Sequence, residues 1–458
     1  MGTHGNGQTM TGRSVLGAWY AVAILGSLYV VAFVDRLILG LLVEPLRADL
    51  HITDTQISLL MGVAFAAFYS FVGLPLGRVA DLGNRKWLLV GTAVIWGSCT
   101  FGSGLATSFW VLCLLRIGVA IGEAALTPTS LSLISDLFPR EQRARATSVF
   151  MSLGALGATG SYILGGLVVK AIGNVDHLVL PLLGSVKPWQ AVFFLVGAPA
   201  FLFAAIIALT VKEPVRETAP SPAANGLTFA WARRPYVPPF LFFIATAIGQ
   251  VMIYGLGGWA PTYLVRQFHW ATGDAGIRIG LASMTCGVSG MLIAPRVAEI
   301  WSARGRRDAP VLVLAAGLLL GFPLVIAASL APSGVAFLGF YAAAMFCIMG
   351  TGMMPFICVQ WGIPSHLKGE FLAAGLLANS LVGIALGPTA TVLAAKVFGG
   401  GAHLGQGLAL VAAICGPLAA GFALLLRRPM ARLLEAEAGA AAPPVPQAPA
   451  LSAVGEMI

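Results

Sequence analysis

Charged side chains are scarce in this sequence. Asp, Glu, Lys and Arg together make up 10% of its 458 residues, hydrophobic residues make up 58%, and the mean hydropathy is +0.88. Soluble domains carry about 25% charged residues. The low charge content therefore excludes a soluble protein and predicts a chain whose solvent is largely lipid.

Residues that bind metals or act as catalytic bases are also few. The six cysteines all fall in apolar runs without CxxC spacing, which predicts small buried residues and neither a disulfide nor a metal site. The six histidines all fall in tails or connections, and HExxH is absent. The string GVSG at 287–290 has the Gly-x-Ser-Gly pattern of intramembrane serine proteases, but that chemistry needs a histidine beside the serine. We expect neither an enzyme nor a cofactor.

Long apolar runs recur along the whole chain. An α-helix needs about 20 apolar residues to cross about 30 Å of hydrocarbon. The sequence therefore predicts an all-α polytopic membrane protein with twelve transmembrane helices. The predicted spans are residues 15–42, 55–80, 87–107, 109–137, 145–172, 189–211, 237–265, 277–300, 309–330, 333–362, 369–397 and 404–427.

The longest connection between spans divides the twelve runs into six and six. Two halves that rock about a central site are typical of secondary transporters, and they suit a carrier better than a channel. The predicted divisions are a tail (1–14), an N-terminal six-helix bundle (15–211), a linker (212–235), a C-terminal six-helix bundle (236–428) and a disordered tail (429–458).

The net charge of +9 is unevenly distributed. Most Lys and Arg residues lie in alternate connections and near the two termini, which is the positive-inside pattern and argues against nucleic acid as a partner. The pattern predicts that the linker and both termini are cytoplasmic. We expect a monomer in the cell membrane, surrounded by membrane lipids; in a Gram-negative cell this is the inner membrane.

Four charges interrupt two of the apolar runs: Asp35 and Arg36 in the first span, and Arg116 and Glu123 in the fourth. A charge inside a span costs a few kcal/mol or more and needs a partner. Asp35 lies about 30 Å along the first span, and Arg116 lies about 9 Å below the outer end of the fourth. Glu123 lies about 20 Å below that end. We therefore expect Asp35 to pair with Arg116, and Arg36 to reach toward Glu123.

Two interpretations of this cluster are open. It can fasten the first helix to the fourth, or its carboxylates can gain and lose protons as a cavity opens to each side. The spans of the second half carry no mid-membrane charge, and a purely structural fastening would be needed in both halves. We therefore favour Asp35 and Glu123 as proton-coupling residues, with Arg36 and Arg116 as their charge partners.

The connection after the second span, GRVADLGNRK, resembles the loop between the second and third helices of the major facilitator superfamily. Gly77, Asp81, Arg85 and Lys86 match that loop, and Leu82 and Asn84 depart from it. We expect a cytoplasmic gating loop. Its glycine would permit close helix approach, and its carboxylate would pair with arginines or face a helix N-terminus.

The run from Arg116 to Pro139, RIGVAIGEAALTPTSLSLISDLFP, resembles the fourth helix of the Spinster branch of that superfamily. The Asp-Arg pair of the first helix, TQISLL (Thr55 to Leu60) and GLGGWAPTYL (Gly255 to Leu264) resemble the same branch. The chain lacks the Asn-Tyr that usually precedes Asp-Arg in Spinster sequences. The resemblance implies the major facilitator fold and alternating-access transport of sphingosine phosphates or lysophospholipids. Proton coupling is the expectation for bacterial members.

A lipid substrate needs a cavity with an apolar wall and a charged end for its headgroup. We expect Arg36 and Arg116 to supply the charged end. Candidates for the wall are Trp259 and Tyr263 in the seventh span, and Phe65 and Tyr69 in the second. An interfacial belt is an equal alternative for Tyr263, and helix packing is the better interpretation for the second-span pair.

Two other transported classes are alternatives to the lysolipid. A proton-coupled organic-anion symporter would have a similar fourth helix and a closed, Arg-rich polar cavity. A drug efflux antiporter is suggested by GALGATGSYILGG (154–166), which resembles the glycine-rich fifth helix of that class without its proline. Small residues at this spacing more often serve helix packing.

Overall fold

The structure, a computed structural model, describes residues 12–173, 177–180, 184–214, 236–364 and 367–441. Nearly all of them are helical. The first half contains α1 (Gly12–Ile38), α2 (Val43–Leu50), α3 (Asp54–Met61), α4 (Val63–Leu82), α5 (Arg85–Ser103), α6 (Phe109–Ala124), α7 (Leu126–Leu137), α8 (Arg140–Ile172) and α9 (Pro188–Thr210).

The second half has the same helical character. It contains α10 (Val237–Phe268), α11 (Thr272–Ala282), α12 (Val288–Ala303), α13 (Ala309–Ser329), α14 (Gly334–Met349), α15 (Met354–Gly362), α16 (Lys368–Ala378), α17 (Ala385–Val397), α18 (Leu404–Leu425) and α19 (Arg427–Ala441). Short 3₁₀ turns lie at Leu39–Leu41, Gly350–Met353 and Gly401–His403, and π-helical turns at Ser283–Gly287 and Asn379–Ile384.

Eleven helical stretches of the described chain are long and apolar enough to cross a membrane. The twelfth predicted span corresponds to α5, which begins with Arg85 and Lys86 and contains several small polar residues. It packs along α6 and α9 with the other spans. The arrangement agrees with the predicted twelve-helix architecture.

Local signals explain where several helices begin. Thr53 caps α3, because its hydroxyl accepts from the backbone N–H of Gln56 at 3.3 Å and the Gln56 side chain accepts from the Thr53 N–H at 2.8 Å. Asn84 and Ser108 cap α5 and α6 with their side-chain oxygens. These residues satisfy the free N–H groups at the helix starts.

Small residues along α8 let it pack closely on both halves. A Cβ added to Gly157 would lie 2.9 Å from the Cα of Val30 in α1, and one added to Gly166 would lie 2.7 Å from the carbonyl oxygen of Gly273 in α11. Side chains larger than hydrogen would separate these helices. The glycine-rich run of the fifth span therefore serves helix packing in this structure.

Two features near the ends of the halves differ from the sequence prediction. The tail expected to be disordered from residue 429 begins instead with α19, because Met430, Leu433 and Leu434 form an apolar stripe that is buried against the second half.

A β-hairpin, Leu178–Leu180 with Gly184–Val186, lies between α8 and α9, with Val179 paired to Ser185. Residues 1–11, most of the linker (215–235) and residues 442–458 lie outside the described residues.

The two halves meet at the end of the molecule opposite the linker, here called the far end. Arg266 of α10 donates to both oxygens of Asp54 at 2.8 Å, to Glu44 at 2.6 Å and to the carbonyl of Gly401 at 3.3 Å. Tyr162 of α8 donates to the carbonyl of Gly257 at 2.6 Å. Polar contacts thus hold the far end closed.

If these contacts keep the far end closed, Arg266→Ala should open it more often, because the two carboxylates lose their shared cation. We expect a cysteine introduced at Gly258, about 12 Å deeper along α10, to react roughly ten-fold faster with an impermeant thiol reagent added at the far side. The six native cysteines are replaced for this assay. Arg296→Ala, which breaks only an exposed pair with Glu299 within α12, is the control, and equal rates in both variants would contradict the prediction.

Candidate functional site

The four charges of the first and fourth spans come together in the first half. Arg36 donates to Glu123 with 2.7 Å between Nη2 and Oε2, and Arg116 donates to Asp35 with 3.1 Å between Nη1 and Oδ1. Asp35, Arg116 and Glu123 are at most 1% exposed, whereas the Arg36 side chain is 15% exposed. The pairing expected from depth along the helices is the pairing found.

The Asp35–Arg116 pair is fully enclosed by protein. The other carboxylate oxygen, Oδ2, accepts a short hydrogen bond from the hydroxyl of Thr100 in α5. The Arg116 guanidinium also reaches the backbone carbonyls of Asp35 and Arg36, at 3.4 and 3.5 Å, just before α1 tightens into a 3₁₀ turn. This pair therefore joins three helices with all oxygens of its carboxylate in use. Thr100 gave no signal in the sequence beyond being polar within a span.

The Arg36–Glu123 pair keeps unused hydrogen-bonding capacity. Glu123 Oε1 and Arg36 Nε are buried and have no hydrogen-bond partner among the described residues. The Arg36 guanidinium carbon lies 4.5 Å from the ring centre of Phe65, 5.0 Å from that of Tyr69 and 5.1 Å from that of Phe33. These rings attract the cation by their faces while giving it no hydrogen bonds. The pair can therefore accept a further polar group or a proton.

The fourth span breaks at Ala125, two residues after Glu123. Its two helices, α6 and α7, are separated at Ala125, which lies outside the regular helix. Pro128 causes the break, because it has no N–H to donate to the carbonyl of Ala124 four residues earlier. The proline was visible in the sequence, but the span was predicted as one continuous helix.

Of the four predicted wall residues, two lie at the charge cluster and two do not. Phe65 and Tyr69 contact Arg36, as described above. Trp259 is fully buried and donates from Nε1 to the carbonyl of Pro388 at 3.0 Å, and the Tyr263 hydroxyl donates to the carbonyl of Ser329 at 2.8 Å. Both polar tips join helices within the second half in this conformation. Their role as cavity residues stays a prediction.

The predicted gating loop lies mostly in the end of α4 and the start of α5, and its basic residues fasten helices of the first half to one another. Arg85 is buried and donates to Asp136 at the end of α7 at 2.5 Å and to Glu213 beyond α9 at 2.8 Å. The backbone N–H of Lys86 donates to the second Glu213 oxygen at 2.8 Å. The gating role of this loop stays a prediction.

Gly77 and Asp81 of the same loop behave differently from these basic residues. A Cβ added to Gly77 would meet nothing within 4 Å, so the expectation that this glycine permits a close helix approach is wrong for this conformation. Within the described part of the chain, no other helix comes within contact distance of this glycine. The side chain of Asp81 lies outside what the structure describes.

A sequence profile of the Major Facilitator Superfamily matches residues 25–388 of the chain. The chain belongs to the Major Facilitator Superfamily. Its family and fold are those of multi-pass membrane transporters and not of enzymes, as the sequence predicted. The expected twelve-helix architecture in two halves is the architecture of this superfamily.

Similar proteins include an efflux pump, a Spinster homologue and a putative tartrate transporter. An MFS-type efflux pump of Mycolicibacterium smegmatis is 31% identical over 293 residues, covering 63% of this chain and 64% of the pump. Protein spinster homolog 1 of Bos taurus is 26% identical over 382 residues, covering 79% of this chain and 68% of that protein. A putative tartrate transporter of Agrobacterium vitis is 25% identical over 414 residues, covering 84% and 86% of the two chains. The aligned region thus spans less than two thirds of the efflux pump's length.

A solved structure of the same superfamily supports the Spinster resemblance. It is a bacterial homolog of the human lysosomal transporter Spinster in an inward-facing and occupied conformation. The two chains are 26% identical, the TM-score is 0.72, and the match covers 92% of this chain and 94% of that one. The similarity to the Spinster branch, predicted from the first, fourth and seventh helices, is confirmed.

The hydrogen bond from Thr100 generates a prediction on stability. Thr100→Val leaves one buried oxygen of Asp35 without a donor, which costs about 1–3 kcal/mol. We therefore expect a clear fall in the melting temperature of the purified protein. Thr92→Val in the same helix is the control, because the Thr92 hydroxyl bonds only to the backbone of its own helix. Equal melting temperatures for the two variants would show that the Thr100 contact is not stabilising.

Proposed function

We propose that this chain is a proton-coupled secondary transporter that moves an amphipathic lysolipid, of the sphingosine-phosphate or lysophospholipid class, by alternating access. The observation that carries the proposal is the Arg36–Glu123 pair, whose guanidinium lies among three aromatic rings and whose carboxylate has one buried oxygen without a partner. We further propose that it acts as a monomer in the cell membrane, because one chain supplies both halves.

The Arg36 guanidinium is the group we assign to the anionic headgroup. Its side chain is the least buried of the four charges, and guanidinium binds phosphate or carboxylate oxygens through paired N–H donors. The rings of Phe33, Phe65 and Tyr69 give the same position an apolar wall. A headgroup with an acyl chain matches both features.

Glu123 is the residue that we assign to the coupling proton. When an anion binds Arg36, it neutralises part of the positive charge that stabilises the ionised Glu123 carboxylate. A buried carboxylate without its cation takes up a proton. Glu123 Oε1 has no hydrogen-bond partner among the described residues and is the oxygen that can carry that proton. Asp35 remains the second candidate for proton coupling. Its two oxygens are held by Arg116 and Thr100, so its protonation requires those helices to separate.

The contacts between the halves support an alternating-access mechanism. The far end is closed by Arg266 and Tyr162, whereas the described ion pairs at the linker end, Arg85 with Asp136 and Arg427 with Asp308, join residues of the same half. We place the linker end and both termini in the cytoplasm, because basic residues are concentrated there. The described conformation is then open toward the cytoplasm.

An organic-anion symporter is the second candidate function. It is favoured by the match to a putative tartrate transporter, which covers most of both chains. We expect the site of a dicarboxylate to contain one cation from each half, one for each carboxylate of the substrate. In the described second half, the basic residues of the spans lie near the helix ends: Arg266 is bound at the far end, and Arg278 and Arg296 are exposed. This distribution favours a substrate with a single anionic centre.

Flux of a labelled lysolipid in proteoliposomes tests the substrate and the coupling together. We expect uptake into vesicles that contain the protein, and faster accumulation with a pH gradient than without one. Empty vesicles and vesicles with labelled tartrate are the controls. Equal lysolipid flux with and without the gradient would remove proton coupling, and tartrate flux without lysolipid flux would establish the organic-anion alternative.

Neutral variants of the two carboxylates test their assigned role. Glu123→Gln mimics the protonated acid at nearly constant size, so we expect it to abolish gradient-driven accumulation while downhill exchange and the melting temperature are retained. Asp35→Asn should abolish accumulation as well, with a fall in melting temperature because the Arg116 and Thr100 contacts weaken. A purely structural cluster gives the reverse result, in which Glu123→Gln is unstable and the surviving protein is still driven by pH.

A further inference from the structure

Three uncharged polar side chains of the second half converge on one point. They are Gln250 and Tyr254 of α10 and Asn379, which opens the π-helical turn before α17. A methyl group added to Gly383 would lie 2.8 Å from Gln250 Cβ, 3.2 Å from Asn379 Oδ1 and 3.4 Å from Tyr254 Cδ2. Asn379 Oδ1 is the polar atom placed at this point, and the Gln250 amide nitrogen lies 2.9 Å from a methyl group added to Gly352. The three residues are here called the amide cluster.

The amide cluster lies opposite the Arg36–Glu123 pair across the boundary between the halves. Tyr254 is close enough to Arg36 and to Tyr69 to interact with both electrostatically. Ser380, next to Asn379, donates to the backbone carbonyl of Ala66 at 3.4 Å, and Ala66 directly follows Phe65. The aromatic residues around Arg36 and the amide cluster thus face the same space from the two halves.

The amide cluster has hydrogen-bonding capacity that the protein does not use. Asn379 Oδ1 is buried and has no hydrogen-bond partner among the described residues, although its side chain lies beside Tyr254. A buried polar atom of this kind is unfavourable unless a ligand or water satisfies it. The residue also opens a π-helical turn, a rare irregularity that is frequent at functional sites.

We propose that Gln250, Tyr254 and Asn379 form a second subsite, which hydrogen-bonds the uncharged hydroxyl-bearing part of a headgroup whose anionic group is held by Arg36. This inference rests on the proposed function and narrows its substrate class to amphiphiles with one anionic centre and a hydroxylated headgroup. The cluster contains acceptors and donors but no charge, so it recognises neutral groups. Because the two subsites belong to different halves, a headgroup that occupies both draws the halves together around it.

Equilibrium binding to the purified full-length protein tests this assignment with two probes of equal chain length. One is a lysophosphatidylglycerol, whose headgroup carries hydroxyls beyond its phosphate, and the other is an alkyl phosphate without hydroxyls. We expect Tyr254→Phe and Asn379→Leu each to weaken binding of the lysophosphatidylglycerol about five-fold, the loss of one hydrogen bond. Binding of the alkyl phosphate should be unchanged, because its only polar group meets Arg36.

Thr391→Val is the matched control, since the Thr391 hydroxyl on α17 bonds only to the carbonyl of Gly387 in its own helix. It should leave the binding of both probes unchanged. Tyr254→Phe removes a single oxygen and keeps the ring, so it decides the question if Asn379→Leu does not fold. Wild-type binding of both probes with no selective loss in the folded variants would overturn the second subsite alone. Failure of the wild type to bind either probe would overturn the proposed function and the subsite with it.

Discussion

The buried charges of the first half determine much of the structure around them. In lipid no water is available to solvate a charge, so each of the four must find its partner on a neighbouring helix. Asp35 and Arg116 meet this requirement with α1, α5 and α6 held together at one point. The end of α1, with its 3₁₀ turn, forms where its carbonyls face the Arg116 guanidinium. The Asp35–Arg116 pair and the Thr100 hydrogen bond therefore link these three helices at a buried point.

The two ion pairs differ in a way that their sequence neighbourhood does not reveal. Both contain one carboxylate and one arginine, and both join the first span to the fourth. One has both carboxylate oxygens hydrogen-bonded, although Arg116 Nε has no partner among the described residues. The other has one carboxylate oxygen without a partner among those residues, and aromatic faces around its cation. The two pairs thus differ in hydrogen bonding although they join the same two helices.

The sequence predicted the spans, the two halves and the pairing within the charge cluster, because hydropathy and the rise of a helix determine all three. It could not place Trp259 and Tyr263, since an amphipathic ring can line a cavity or join two helices, and only the neighbouring carbonyls of Pro388 and Ser329 decide between them. The sequence did not predict α19 in the tail, because an apolar stripe of three residues is too short to give a clear helical period. The space around Gly77 depends on the conformation, which composition and periodicity do not encode.

The interruption of the fourth span divides it into two rods with separate attachments. One rod, α6, carries Arg116 and Glu123, and the other, α7, ends at Asp136, which is held by the buried Arg85. The ion pair of Glu123 with Arg36 and the ion pair of Asp136 with Arg85 therefore lie on different helices, on either side of Ala125. Each part of the fourth span is thus attached to a different neighbour, α6 to α1 and α7 to α5.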